Sequence, residues 1–104
     1  MSQATMIVPI GSFTPDLWGR VRETAARSAR EHEVIISMQS TQHFSWSALC
    51  DLAEWLRATL TRFRVRLAGA LPATRALLRE LGIDSSWFVS GVHAAGTSTR
   101  ILVV

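Results

Sequence analysis

The chain of 104 residues contains no lysine, no tyrosine and no asparagine, and only one cysteine, three prolines and three histidines. Without lysine no Gly-rich phosphate loop with its following Lys can be built, and the glycines from Gly91 to Gly96 follow no Gly-x-Gly-x-x-Gly spacing. A nucleotide cradle is therefore not expected. Cys50, being alone, closes no internal disulfide, so the fold does not draw on an oxidising compartment. His32, His43 and His93 are scattered, with no pair at i, i+4 and no cysteine partner. That excludes a recognisable metal-ligand set. No apolar run approaches the ~20 residues of a membrane span, and Met1–Thr5 lacks the basic start of a signal peptide. The carboxylates Asp16, Glu31, Asp51, Glu54 and Asp84 read as caps or helix-surface charges. The expectation is a soluble cytoplasmic protein with no catalytic residues, no metal and no cofactor.

What is present describes one folded domain over residues 1–104. Hydrophobic residues make up 48% and charged residues 18%, a balance that excludes general disorder. A chain of this length buries about 65% of the surface its unfolded form exposes, enough for one core. All 11 basic residues are arginine, against 8 acidic ones, giving +3. The sequence pI of about 11.0 follows from arginine's inability to deprotonate. With 13 alanines, this bias reads as that of a GC-rich genome and carries little weight as evidence for a nucleic-acid partner.

Periodicity divides the chain into alternating elements. Met6–Ile10 reads as a short strand ended by Gly11-Ser12, and Pro9, which has no N–H, places it at a sheet edge or bulge. Thr14-Pro15-Asp16 offers an N-cap with proline at the first helical position. Leu17, Val21 and Ala25 follow at helical spacing, with Gly19 an oddity among them. Val34–Met38 is a continuous apolar run suited to a central strand covered on both faces. Ser45 or Ser47 can cap the next helix, whose stripe is Leu49, Leu52, Ala53, Leu56 and Leu60. Arg62–Ala68 alternates with period two, turning Arg62, Arg64 and Arg66 to water. Pro72 opens a helix with Leu77, Leu78 and Leu81 inward, and Gly82 ends it as a left-handed cap. Ser86–Val89 reads as a short strand, and Ile101–Val104 as another strand or an apolar tail.

This order calls for right-handed crossovers and a mainly parallel sheet. We expect a small α/β sandwich of four to five strands, with about three main helices packed largely on one face.

From His32 to Phe88 the sequence resembles a STAS domain, the fold shared by sulphate-transporter tails and anti-sigma factor antagonists. In that family an apolar strand leads into a loop of the type Phe-Ile-Asp-Ser-Ser-Gly-Leu, then an amphipathic helix, an alternating strand and a helix ending Leu-x-x-x-Gly-Leu. Here the strand is Val34–Met38, the loop His43-Phe44-Ser45-Trp46-Ser47-Ala48-Leu49, and the helix end Leu77-Leu78-Arg79-Glu80-Leu81-Gly82-Ile83. The Gly11 and Thr14-Pro15 segment is similar to the family's first turn into its first helix. Aligned on Ala48-Leu49, the family's Asp becomes Ser45, its regulatory Ser becomes Trp46, its second Ser matches Ser47 and its Gly becomes Ala48. With five residues before Met6 the family's extra first strand is not expected here, and Ile101–Val104 is the candidate for that edge.

The resemblance implies a bacterial regulator of transcription, not an enzyme, that binds a protein partner such as a kinase-like anti-sigma factor. It could also serve as an accessory subunit of a transport system. Candidate contacts are His43, Phe44, Ser45, Trp46, Ser47, Ala48, Cys50 and Asp51. A phosphoacceptor, if there is one, is Ser47 or Ser45, since Trp46 cannot serve. A hydroxyl before a helix sits where free backbone N–H groups favour an anion, but it is also an ordinary cap. Trp46, in a loop of small polar residues, reads either as a binding anchor or as a lid folded over the helix start. Nucleic-acid binding through Arg62, Arg64 and Arg66 is the rival reading, and no aromatic interleaving supports it. The same basic face and a possible edge strand leave a homodimer open.

Overall fold

A computed structural model describes residues 3–28, 33–59, 65–88 and 98–104. Over these the chain runs β1 (Gln3–Val8), β2 (Gly11–Ser12), α1 (Pro15–Ser28), β3 (Glu33–Ser37), β4 (Thr41–Gln42), α2 (Trp46–Thr59), β5 (Val65–Ala68), α3 (Pro72–Glu80), a 3₁₀ turn (Ser85–Trp87) and β6 (Ser98–Val103). Four strands form one parallel sheet in the order β5-β3-β1-β6, while β2 and β4 pair separately. The α/β class and parallel sheet expected from the sequence are present, with four strands in that sheet and three α-helices among the described residues. None of these helices is long and apolar enough to cross a membrane. The readings that fall on Leu60, Arg62, Arg64, His32, Val89, His93 and the glycines at 91 and 96 lie outside the described residues.

Register explains the layers. Ile7 pairs with both Ile36 and Leu102, and Ile36 with Leu67. Successive strand side chains alternate faces, so Val34 and Val65 share that side. The buried ones among them join a single core with Leu17, Trp18, Val21 and Ala25 of α1, the Ala48–Leu56 stripe of α2, and Leu78 of α3. The intervening row, Ile101, Met6, Ile35 and Arg66, points the other way and lies outside that core. Ile35 is only half-buried and Ile101 is 62% exposed. The helices thus cover one face, as expected, and β3 is not covered on both faces.

Three expectations need correction. Pro9 does not make β1 an edge strand; β1 lies inside the sheet between β3 and β6. The strand stops at Val8, and the ladder steps around the proline: Val104 N–H donates to the Val8 carbonyl at 3.1 Å and Ile10 N–H to that of Val104 at 3.3 Å. The C-terminal run therefore fills the edge beside β1. In α3, Leu77 is 38% exposed. The inward stripe passes through Thr74, Leu78 and half-buried Leu81, at i, i+4 and i+7, and leaves Leu77 beside it. The start of Ser86–Val89 is not a strand: Ser85–Trp87 makes a 3₁₀ turn, and Phe88, the last described residue there, forms a parallel bridge to Leu67.

The helix ends follow their sequence signals. The Leu17 N–H donates to Thr14 Oγ1 at 3.2 Å, with Pro15 at the first helical position. At the end of α3, Gly82 adopts φ +92°. The Gly82 N–H reaches the Arg79 carbonyl and the Ile83 N–H that of Leu78, with Ile83 and Leu78 both buried. This is a Schellman closure with its apolar contact. Gly19, by contrast, has no such excuse: a Cβ added there meets nothing within 4 Å. Gly19→Ala should therefore raise stability by about 0.5–1 kcal/mol, read as an increased urea midpoint at unchanged slope.

Candidate functional site

Because the strands are parallel, the loops leaving β1, β3 and β5 all lie at one end of the sheet. Backbone bonds tie them together. Gly11 and Ser12 pair with Thr41 and Gln42, and Gly11 N–H donates to the Ser40 carbonyl at 3.1 Å. The buried Thr41 hydroxyl donates to the Met38 carbonyl at 2.9 Å and fixes the turn below. Met38 N–H in turn reaches Ala68 at 2.8 Å. A Cβ on Gly69, which has φ +70°, would stand 2.8 Å from the Gln39 side chain, so only glycine allows this approach.

Phe13 joins the first two loops. Its N–H donates to the Gln42 carbonyl at 3.1 Å, and its carbonyl accepts from Ser45 N–H at 3.0 Å. Its fully buried ring lies 5.5 Å from Phe44 and 6.1 Å from Trp18, and Trp18 stands edge-on to Trp55 at 5.6 Å. Ring contacts of this kind contribute roughly 0.5–1.5 kcal/mol each beyond burial. They help offset the Trp18 Nε1–H, which is buried without a hydrogen-bond partner. His43 takes φ +50°, a left-handed conformation uncommon outside glycine, and reverses the chain there. Phe44 consequently packs against the core, whereas Trp46 is 52% exposed on the first turn of α2. The lid is Phe44, not Trp46.

The eight candidate contact residues separate by burial. His43, Trp46, Ser47 and Asp51 are exposed, and Phe44, Ser45 and Cys50 are half-buried. Ala48 is fully buried in the core stripe and offers no surface, because it faces the sheet one turn from Leu52. Ser45 occupies the N-cap position, its carbonyl accepting from Leu49 N–H at 3.0 Å. Its hydroxyl, however, meets the Ser47 hydroxyl at 3.0 Å instead of a helix N–H. Both candidate phosphoacceptors therefore stand together beside Trp46.

Two residues missed in the sequence belong to the same end of the sheet. Ile10 and Leu71, each more than half exposed, lie in the loops after β1 and β5. Their signal was an apolar residue within a short stretch bounded by turn formers, Pro9-Ile10-Gly11 and Gly69-Ala70-Leu71-Pro72. Of the basic strand only Arg66 is described, and its Nε lies 3.8 Å from the Glu33 carboxylate. Among the described residues no group of three or more His, Cys, Asp or Glu could hold a metal ion.

Comparison of the chain with protein-family models, curated proteins and solved structures finds no match. None of the three identifies the family that the sequence resembles.

The geometry separates scaffold from surface. Phe13→Ala should cost about 3–5 kcal/mol of unfolding free energy, the range for truncating a buried aromatic. Trp46→Ala should stay within about 0.5 kcal/mol, as expected of a surface side chain; urea denaturation of both variants checks the contrast.

Proposed function

We propose that the chain is a non-enzymatic regulatory module of the STAS-like kind that docks a protein partner through the segment 43–50 and the helix that follows, with Trp46 as the anchor. The observation that carries this reading is the half-exposed indole of Trp46 on the first turn of α2. Folding gains little from an indole left in water. A partner that covers it gains large apolar area at low entropic cost, and tryptophan is enriched among residues that dominate binding energy. Ile10 and Leu71 extend the apolar part of this end of the sheet. His43, Ser47 and Asp51, all exposed, supply the polar rim that such interfaces carry.

In this reading the STAS resemblance names the partner class: a kinase-like anti-sigma factor, or a related regulatory or transport protein, met in the bacterial cytoplasm. With Trp46 where the family carries its regulatory serine, docking is constitutive in the unmodified chain. Ser47, exposed and next to Trp46, is where a phosphoryl group would add −1.5 to −2 charge and oppose an acidic partner surface.

The test is capture from an extract of the source cells by the immobilised full chain, with each bound protein quantified. Trp46→Ala should reduce capture of a specific protein about tenfold, equivalent to 1.4 kcal/mol. Leu77→Ala, an exposed apolar change on α3, should leave it unchanged. An identical set of captured proteins with wild type and Trp46→Ala would contradict the reading.

A further inference from the structure

A second concave surface is built from other elements. Arg75 and Arg79 of α3, Ile83 and Asp84 of the turn after it, and Phe88 line a small open pocket of about 60 Å³. We propose that this pocket binds an aromatic phosphomonoester.

Arg75 and Arg79 are four residues apart, so they share one face of α3 with their Cβ atoms about 5–6 Å from each other. Two like charges at that spacing repel, and an anion between them removes the repulsion. The Arg75 guanidinium lies 4.2 Å above the centre of the Phe88 ring. A cation held over a ring face can still offer the N–H groups of its edge to an anion. Neither guanidinium donates a hydrogen bond to another described residue, although Arg79 acts on the Asp84 carboxylate through its charge. A carboxylate has two oxygens and satisfies one guanidinium fork, whereas a phosphoryl group presents three and can engage both. Below the arginines, buried Ile83 and half-buried Phe88 make an apolar floor and wall. Ile83 and Phe88 are the apolar surfaces against which a ligand ring would lie.

Asp84 is the lining's one carboxylate, and it has another duty. Its Oδ1 accepts the Ser86 N–H at 2.9 Å and also the Ser86 hydroxyl, capping the 3₁₀ turn. These bonds, with the Arg79 charge, hold its carboxyl below the usual range. It stays ionised and opposes anions at its side of the mouth, which directs a ligand's charge toward the arginines.

The test is an NMR titration of the full chain with phenyl phosphate, inorganic phosphate and benzoate at constant ionic strength. Phenyl phosphate should give saturable shifts confined to amides of residues 75–88, and should bind more tightly than the other two. Arg79→Gln and Arg75→Gln should each weaken it about tenfold, the effect of one charge-assisted contact. Asp84→Asn, which keeps the cap, should tighten it severalfold, and circular dichroism should report an unchanged fold for all three. Shifts that stay linear, or that are the same in Arg79→Gln as in wild type, would overturn the site. Benzoate binding as tightly as phenyl phosphate would overturn the phosphoryl assignment.

Discussion

Phe13 has no surface of its own, yet its ring and backbone fix the start of α2, which carries Trp46. The ring is held between Phe44 and Trp18, and the peptide groups on either side bond to Gln42 and Ser45. Interiors of this density do not deform smoothly, so the start of α2 cannot shift without disturbing the α1 side of the core. A left-handed His43 then decides which aromatic turns inward. Phe44 fills the space under the loop, and the next aromatic, Trp46, is left outside. The candidate interface is in this sense a by-product of core packing, held by buried residues that a partner never touches.

The sheet sets the scale on which that arrangement works. Parallel strands bring three loop regions to one end, and the small β2–β4 pair ties two of them directly. The helices pack on a single face, leaving Ile101 and Arg66 on the other. β6 fills the position beside β1, so the strand that launches the first loop is supported on both sides. A loop that begins on an interior strand inherits that strand's rigidity, which a recognition surface built on an edge would lack.

Local chemistry made much of this legible in the sequence. The Thr14-Pro15 start, the apolar stripe of α2 and the Gly82 closure each depend on residues within one or two turns, and each stands where its signal put it. Misreadings arose where a distant part of the chain decides. Pro9 marks an edge strand only if its N–H is needed by the ladder, and Val104 supplies bonds that bypass it. Leu77 and Leu78 are equally apolar, but only the second meets the core. Phe13 gave no periodic signal because it lies between elements, and its burial follows from loops brought together by parallel topology. The exposure of Trp46 was likewise undecided until the place of Phe44 was known. The segment with Ser45 and Ser47 flanking an indole was singled out by the resemblance, and Trp46 and Ser47 stand on the first turn of α2, not in a loop.

The display of Trp46 can be measured directly. Acrylamide quenching of tryptophan fluorescence in wild type and Trp46→Phe compares the accessible indole with Trp18, which is buried, and with Trp55 and Trp87, which are half-buried. The account predicts that Trp46→Phe removes the most readily quenched emission and lowers the overall quenching constant. Unchanged quenching in the variant would mean that Trp46 is shielded in solution and that the recognition surface does not exist.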